Sequence, residues 1–163
     1  MLISELIRVA LVGVGATVVL DMWLAVLKRL GVQTLPMGLI GRWVVHAARG
    51  KFLQPSLANA PKVRGEVALG WFTHYAIGIG FAALLFGIQG MTWSQNPSLL
   101  PAVIVGMCTV AAPLFVMQPA MGAGFAASRT PSPVKNCIRS TINHTVFGVG
   151  LYWSAVTIEW AVR

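Results

Sequence analysis

Charge is scarce in this chain. Only 10% of its 163 residues are charged, and just four are acidic. A soluble domain carries about a quarter charged residues, so the composition excludes an ordinary water-soluble fold and indicates an integral membrane protein. Cysteine is nearly absent. Cys108 and Cys137 supply no disulfide framework: one falls within a membrane segment and the other in a loop expected in the cytoplasm, so both are expected as reduced thiols. Catalytic signatures are missing too, with no P-loop, dinucleotide fingerprint, zincin helix or nucleophile elbow in the sequence. The net charge of +8 has no basic stripe with interleaved aromatics behind it, which speaks against a nucleic-acid partner. No internal repeat is found.

What the chain has in quantity is apolar length. Hydrophobic residues make up 56% of it. Four segments reach the roughly 20 residues that a bilayer core requires: residues 2–27, 67–88, 99–121 and 138–161. Each is expected to be helical, because backbone polar groups in lipid must be bonded within the segment. The predicted fold is all-α: a single membrane domain over residues 1–163, built as a four-helix bundle. The first run is longer than a signal-peptide core, and no small-residue cleavage site precedes Lys28-Arg29. It is therefore expected to be retained.

Charge distribution sets the expected orientation. Lys28, Arg29, Arg42, Arg49, Lys51, Lys62 and Arg64 lie between the first two segments, and Arg129, Lys135 and Arg139 lie between the last two. The connection from Gln89 to Ser98 has no basic residue. The positive-inside rule then places both basic loops in the cytoplasm and both termini outside. Trp93, Tyr152, Trp153 and Trp160 fall toward the expected outer ends, where amphipathic rings favour the interface.

Within the first basic loop, residues 37–48 are too short to span but are amphipathic. Arg42, His46 and Arg49 recur at helical spacing, with Leu39, Ile40, Trp43, Val44 and Ala47 on the remaining arc. This pattern predicts an interfacial helix whose basic face, His46 included, meets anionic headgroups. Arg42, Arg49, Arg129 and Arg139 are the candidate headgroup contacts, since guanidinium pairs well with phosphate. Residues 54–64, with Pro55 and Pro61, read as irregular loop. Pro113 and Pro119 predict a kinked or broken third helix, followed by a small-residue stretch that either continues it irregularly or dips back into the membrane.

The candidate functional residues are the few ionisable groups inside apolar runs: Asp21, His74 and His144, with Gln118 and Asn143 in the same half of the membrane. An ionisable residue at that depth is costly and is a functional-site hypothesis by default. At 1.5 Å per residue, Asp21 lies about 10 Å from Lys28, His74 about 12 Å from Glu66, and His144 about 8 Å from Arg139. Small and polar residues also stack at i, i+4 spacing: Gly13, Thr17 and Asp21; Gly70, His74 and Gly78; Ser140, His144, Gly148 and Tyr152. Such faces let membrane helices approach closely. Three readings follow. Asp21, His74 and His144 could relay protons or bind an ion in a transporter or permeation subunit. They could hold a divalent metal, or the two histidines a haem, in a metalloprotein or lipid-modifying enzyme. Or they could fix helix register in a structural or assembly partner, with no cofactor at all. Near the outer end of the last helix, Glu159 is expected to snorkel or to pair with Arg163. Self-association is a further expectation, because four helices rich in small residues enclose little volume alone.

Several strings occur together: Gly15-Ala-Thr-Val-Val-Leu-Asp21-Met-Trp23, Gly41-Arg-Trp43, Gly65-Glu-Val-Ala-Leu-Gly70-Trp71 with His74-Tyr75, and Met117-Gln-Pro-Ala-Met-Gly-Ala-Gly124 followed by Ala127-Ser-Arg-Thr-Pro131. In these the chain resembles the bacterial membrane-protein family DUF2938 over nearly its whole length. The Met-Gln-Pro-Ala-Met-Gly string is the most specific part. The resemblance implies a small multi-helix inner-membrane protein and assigns no catalytic residue.

Overall fold

The computed structural model describes residues 3–162. Within them every regular element is helical. Helix α1 is Ile3–Arg29, α2 Met37–Ala48, α3 Glu66–Gln89, α4 Leu99–Cys108, α5 Gln118–Ala120 and α6 Pro133–Val162. The four candidate membrane spans are Ile3–Arg29, Glu66–Gln89, Leu99–Ala120 and Pro133–Val162, all long and apolar enough to cross a bilayer. They match the four apolar runs in the sequence, with the last beginning five residues earlier than expected. The expected start of the first run at Leu2 lies outside the described residues. Helix α1 ends where Gly31, at φ +81°, lets the chain turn back, with Val32 N donating to Leu27 O at 2.9 Å.

The chain divides into two compact units. The first comprises Met1–Gln33, Tyr75–Thr109 and Ile142–Arg163, and so takes a segment from each of the four long helices. These segments pack as a bundle around Val9, Val12, Ala16, Ala82, Leu85, Phe86, Ala102, Val105, Phe147, Leu151 and Ala155. Apolar burial cannot favour helix over lipid, so close backbone approach has to hold the bundle together. Glycine permits it at specific crossings. A Cβ at Gly13 would strike Ile79 Cα on α3, and one at Gly106 would strike the Gly148 backbone on α6. Trp93 does not take the interfacial position expected for it. It is 7% exposed, stacks edge-on against Phe86 and bonds Ser98, so the connection between α3 and α4 folds into the core. Trp153 and Trp160 are exposed on α6.

The second unit comprises Thr34–His74 and Val110–Thr141. The expected break in the third span is present: α4 stops at Cys108, and Pro113–Met117 form a wider π-helical turn before α5. Proline removes the N–H that would continue the ladder, which is why the turn loosens here. The stretch 54–64 is irregular yet firmly placed. Leu57 is buried in a short 3-10 turn, while Gln54 N and Leu57 N donate to Ala120 O and Met121 O at 2.8 and 3.3 Å. Gly122 sits directly on Pro55, where any Cβ would overlap the Pro55 carbonyl. After it, Ala126 and Ala127 occupy the left-handed region, and Cys137 Sγ and Thr130 Oγ1 donate to their carbonyls at 3.2 and 2.7 Å.

Candidate functional site

The expected site residues are each placed by a different partner. Asp21 is half-buried on α1, and the Tyr75 hydroxyl of α3 donates to its Oδ2 at 2.9 Å. His144, half-buried on α6, shares a hydrogen bond of 2.7 Å between its Nδ1 and Thr109 Oγ1. Thr109 is 5% exposed, and its hydroxyl also reaches the Gly106 carbonyl at 2.5 Å, so α4 ends on the histidine. The His144 ring lies edge-on to Phe81 at 6.2 Å. Asn143 Oδ1 accepts from the Trp23 indole N–H at 3.0 Å. All of these contacts lie in the first unit. Together they tie α1 to α3, α1 to α6 and α4 to α6.

His74 belongs to the second unit, half-buried on α3, with its ring edge-on to Trp71 at 6.0 Å. Among the described residues no three His, Cys, Asp or Glu side chains are grouped as a metal ion would need.

Arg42 corrects the interfacial reading of α2. It is 5% exposed and faces inward, its Nε and Nη2 donating to the two Glu66 carboxylate oxygens at 2.9 and 2.8 Å. Its Nη1 reaches the carbonyls of Leu57, Ala58 and Ala60 at 3.1–3.3 Å. Gly41 and Gly70 explain why. A Cβ on Gly41 would overlap the Glu66 carbonyl and one on Gly70 the Met37 carbonyl, so α2 lies against α3 with its Gly41-Arg42 face inward. The hydrogen bond to Glu66 holds the guanidinium above its ordinary pKa, against the desolvation that opposes it. Arg42 thus organises the loop and is not available to a headgroup. Arg49 and Arg129 are exposed, and Arg139 is half-buried.

Glu159, expected to snorkel or to pair with Arg163, meets Arg8 of α1 at 2.6 Å, beside Ser94. Arg163 lies outside the described residues. The functional partners that sequence reasoning did not single out are Tyr75, Thr109, Trp23 and Glu66. Each carries a hydroxyl, an indole or a carboxylate inside or at the edge of an apolar run, a signal too common to single them out before the fold is known.

Compared with known proteins, residues 10–158 match one family model, described as protein of unknown function (DUF2938). No curated protein and no solved structure matches the chain.

Proposed function

This chain belongs to the DUF2938 family, and we propose that it is a small multi-pass protein of the bacterial inner membrane that handles a proton or small ion through the polar pairs of its bundle. The observation that carries this reading is the Asp21–Tyr75 contact at 2.9 Å, a carboxylate in a membrane-spanning helix accepting a phenol O–H. A carboxylate is acceptor-only, whereas a protonated carboxyl both donates and accepts. Proton arrival at Asp21 would therefore remove a charge from lipid depth and allow the Tyr75 bond to reverse. The link between α1 and α3 would change with it. Thr109 and His144 offer a second exchangeable pair between α4 and α6. In this reading both termini face outward, and Arg49, Arg129 and Arg139 contact anionic headgroups.

The test is proton flux. Purified full-length protein in liposomes with an internal pH dye should dissipate an imposed gradient, and Asp21→Asn should reduce the rate to that of empty liposomes. Absence of flux from the wild-type protein would sink the proposal. The reading left standing would then be a structural or assembly partner. It is supported by a specific observation: Asp21–Tyr75, Asn143–Trp23 and His144–Thr109 each bridge two different helices. Such contacts hold helix order and register at about 0.6 kcal/mol each.

A further inference from the structure

At the end of the bundle where α1 begins and α3 and α6 finish, the described residues line an open cleft of about 350 Å³. Gln95, Asn96 and Pro97 of the α3–α4 connection form one wall, and Val156, Glu159 and Trp160 of α6 form the other. All six belong to the first unit. The volume falls at the lower end of the roughly 300–1,000 Å³ usual for small-molecule sites, enough for one ring-sized guest.

Both walls are fixed by one guanidinium. Arg8 Nη1 donates to Glu159 Oε2 at 2.6 Å and reaches the Ser94 hydroxyl and carbonyl at 3.3 and 3.4 Å. Ser94 is buried and directly precedes Gln95. Its other neighbour, Trp93, is anchored in the core against Phe86. The turn that carries Gln95 and Asn96 is therefore held at a set position from α6, independently of any guest. A site ordered beforehand loses little affinity to the ordering of its own walls.

The lining decides what suits the cleft. Among the described residues no Lys or Arg lines it, so an anion would face the Glu159 carboxylate without a cation beside it. A small cation is poorly served as well, because Glu159 already shares its charge with Arg8. Each amide offers a carbonyl acceptor and two N–H donors, a carboxylate about four acceptor positions, and the indole one N–H. Pro97, Val156 and the Trp160 ring add apolar surface next to them. A neutral ring bearing several hydroxyls matches that mixture. Its O–H groups bond the amides and the carboxylate, while its C–H face lies on the indole. We propose that this cleft binds a monosaccharide unit, contacted by Gln95, Asn96, Glu159 and Trp160. A free sugar and the glycosyl headgroup of a lipid share this chemistry. The site goes beyond the proton-linked reading and uses none of its residues.

The probes are methyl glucoside, methyl galactoside and N-acetylglucosamine, each titrated onto full-length protein in phosphatidylglycerol nanodiscs and read by saturation-transfer NMR. At least one should bind saturably. Trp160→Ala and Asn96→Ala, both at exposed positions, should each weaken that binding about tenfold, the equivalent of about 1.4 kcal/mol. Trp153→Ala, exposed on the same helix but outside the lining, should leave it unchanged. Unchanged melting temperatures show that the variants fold. Native mass spectrometry with glucosyldiacylglycerol in the discs separates the sources. Retention of the glycolipid by the wild type but not by Trp160→Ala identifies a headgroup; free sugar bound without retained glycolipid identifies a soluble ligand. No saturable binding of any sugar together with no retained glycolipid, or binding that both cleft variants leave intact, would overturn the inference. So would tighter binding of tetramethylammonium, a cationic probe, than of any sugar. Proton flux should be untouched in Trp160→Ala and Asn96→Ala, so failure here and failure of the proposed function are read separately.

Discussion

At the scale of single residues, three polar pairs link the spans. The Tyr75 hydroxyl meets Asp21, Thr109 meets His144, and the Trp23 indole meets Asn143. In hydrocarbon an unmet polar group is costly, but the state before assembly also finds partners, so each pair contributes modestly. Tyr75→Phe should accordingly cost about 0.6 kcal/mol and no more than about 1.7 kcal/mol. A double-mutant cycle with Asp21→Asn, followed by unfolding in mixed micelles, would measure it. Coupling indistinguishable from zero would remove the hydrogen bond from the account of the bundle. Asp21 and His144 stand out in the sequence because of their class and apolar surroundings. Their partners do not, because a tyrosine or threonine in an apolar run is unremarked until a helix rotation brings it against an acid or an imidazole.

At the scale of elements, glycine decides which faces meet. The Gly41–Gly70 crossing seats α2 on α3 and thereby turns Arg42 toward Glu66. A methyl group at Gly41 would overlap the Glu66 carbonyl, which cannot move without displacing the first turn of α3. Gly41→Ala should therefore cost about 1–3 kcal/mol or more, as overpacking does in tight interfaces. It should also raise protease cleavage within residues 50–60 as α2 loosens. Unchanged cleavage with an unchanged melting temperature would show that α2 docks by another route. Amphipathicity placed a helix at residues 37–48 and the structure has it at Met37–Ala48. The same pattern pointed its cations toward headgroups, and for Arg42 that direction is reversed. A basic stripe is compatible with a lipid interface or with a buried carboxylate, and its periodicity alone does not distinguish them.

At the scale of the whole molecule, four candidate spans and an uneven distribution of cations dominate. In the second unit Glu66 is the sole acidic residue and is taken by Arg42. Arg49, Lys51, Lys62, Arg64, Arg129 and Lys135 are all exposed there. In the proposed orientation the basic loops are cytoplasmic, so Ser56→Cys, in a chain with Cys108 and Cys137 replaced by alanine, should resist an impermeant maleimide in intact cells. It should react once the membrane is opened. Labelling in intact cells would invert the orientation and place both termini in the cytoplasm.

The amino-acid sequence by itself determined the class, the number of candidate spans and the break before α5. These follow from one-dimensional quantities: apolar length against bilayer thickness, and the N–H that each proline lacks. Tertiary structure alone decided that Trp93 is core, that Glu159 pairs with Arg8, and that Arg42 is buried against Glu66. It alone brought Gln95 and Asn96 to one cleft with Glu159 and Trp160. Those outcomes depend on the rotation of each helix about its axis. In a membrane both lipid and neighbouring helices are apolar, so hydrophobic pattern leaves that angle open. It is set by where two backbones without side chains can touch.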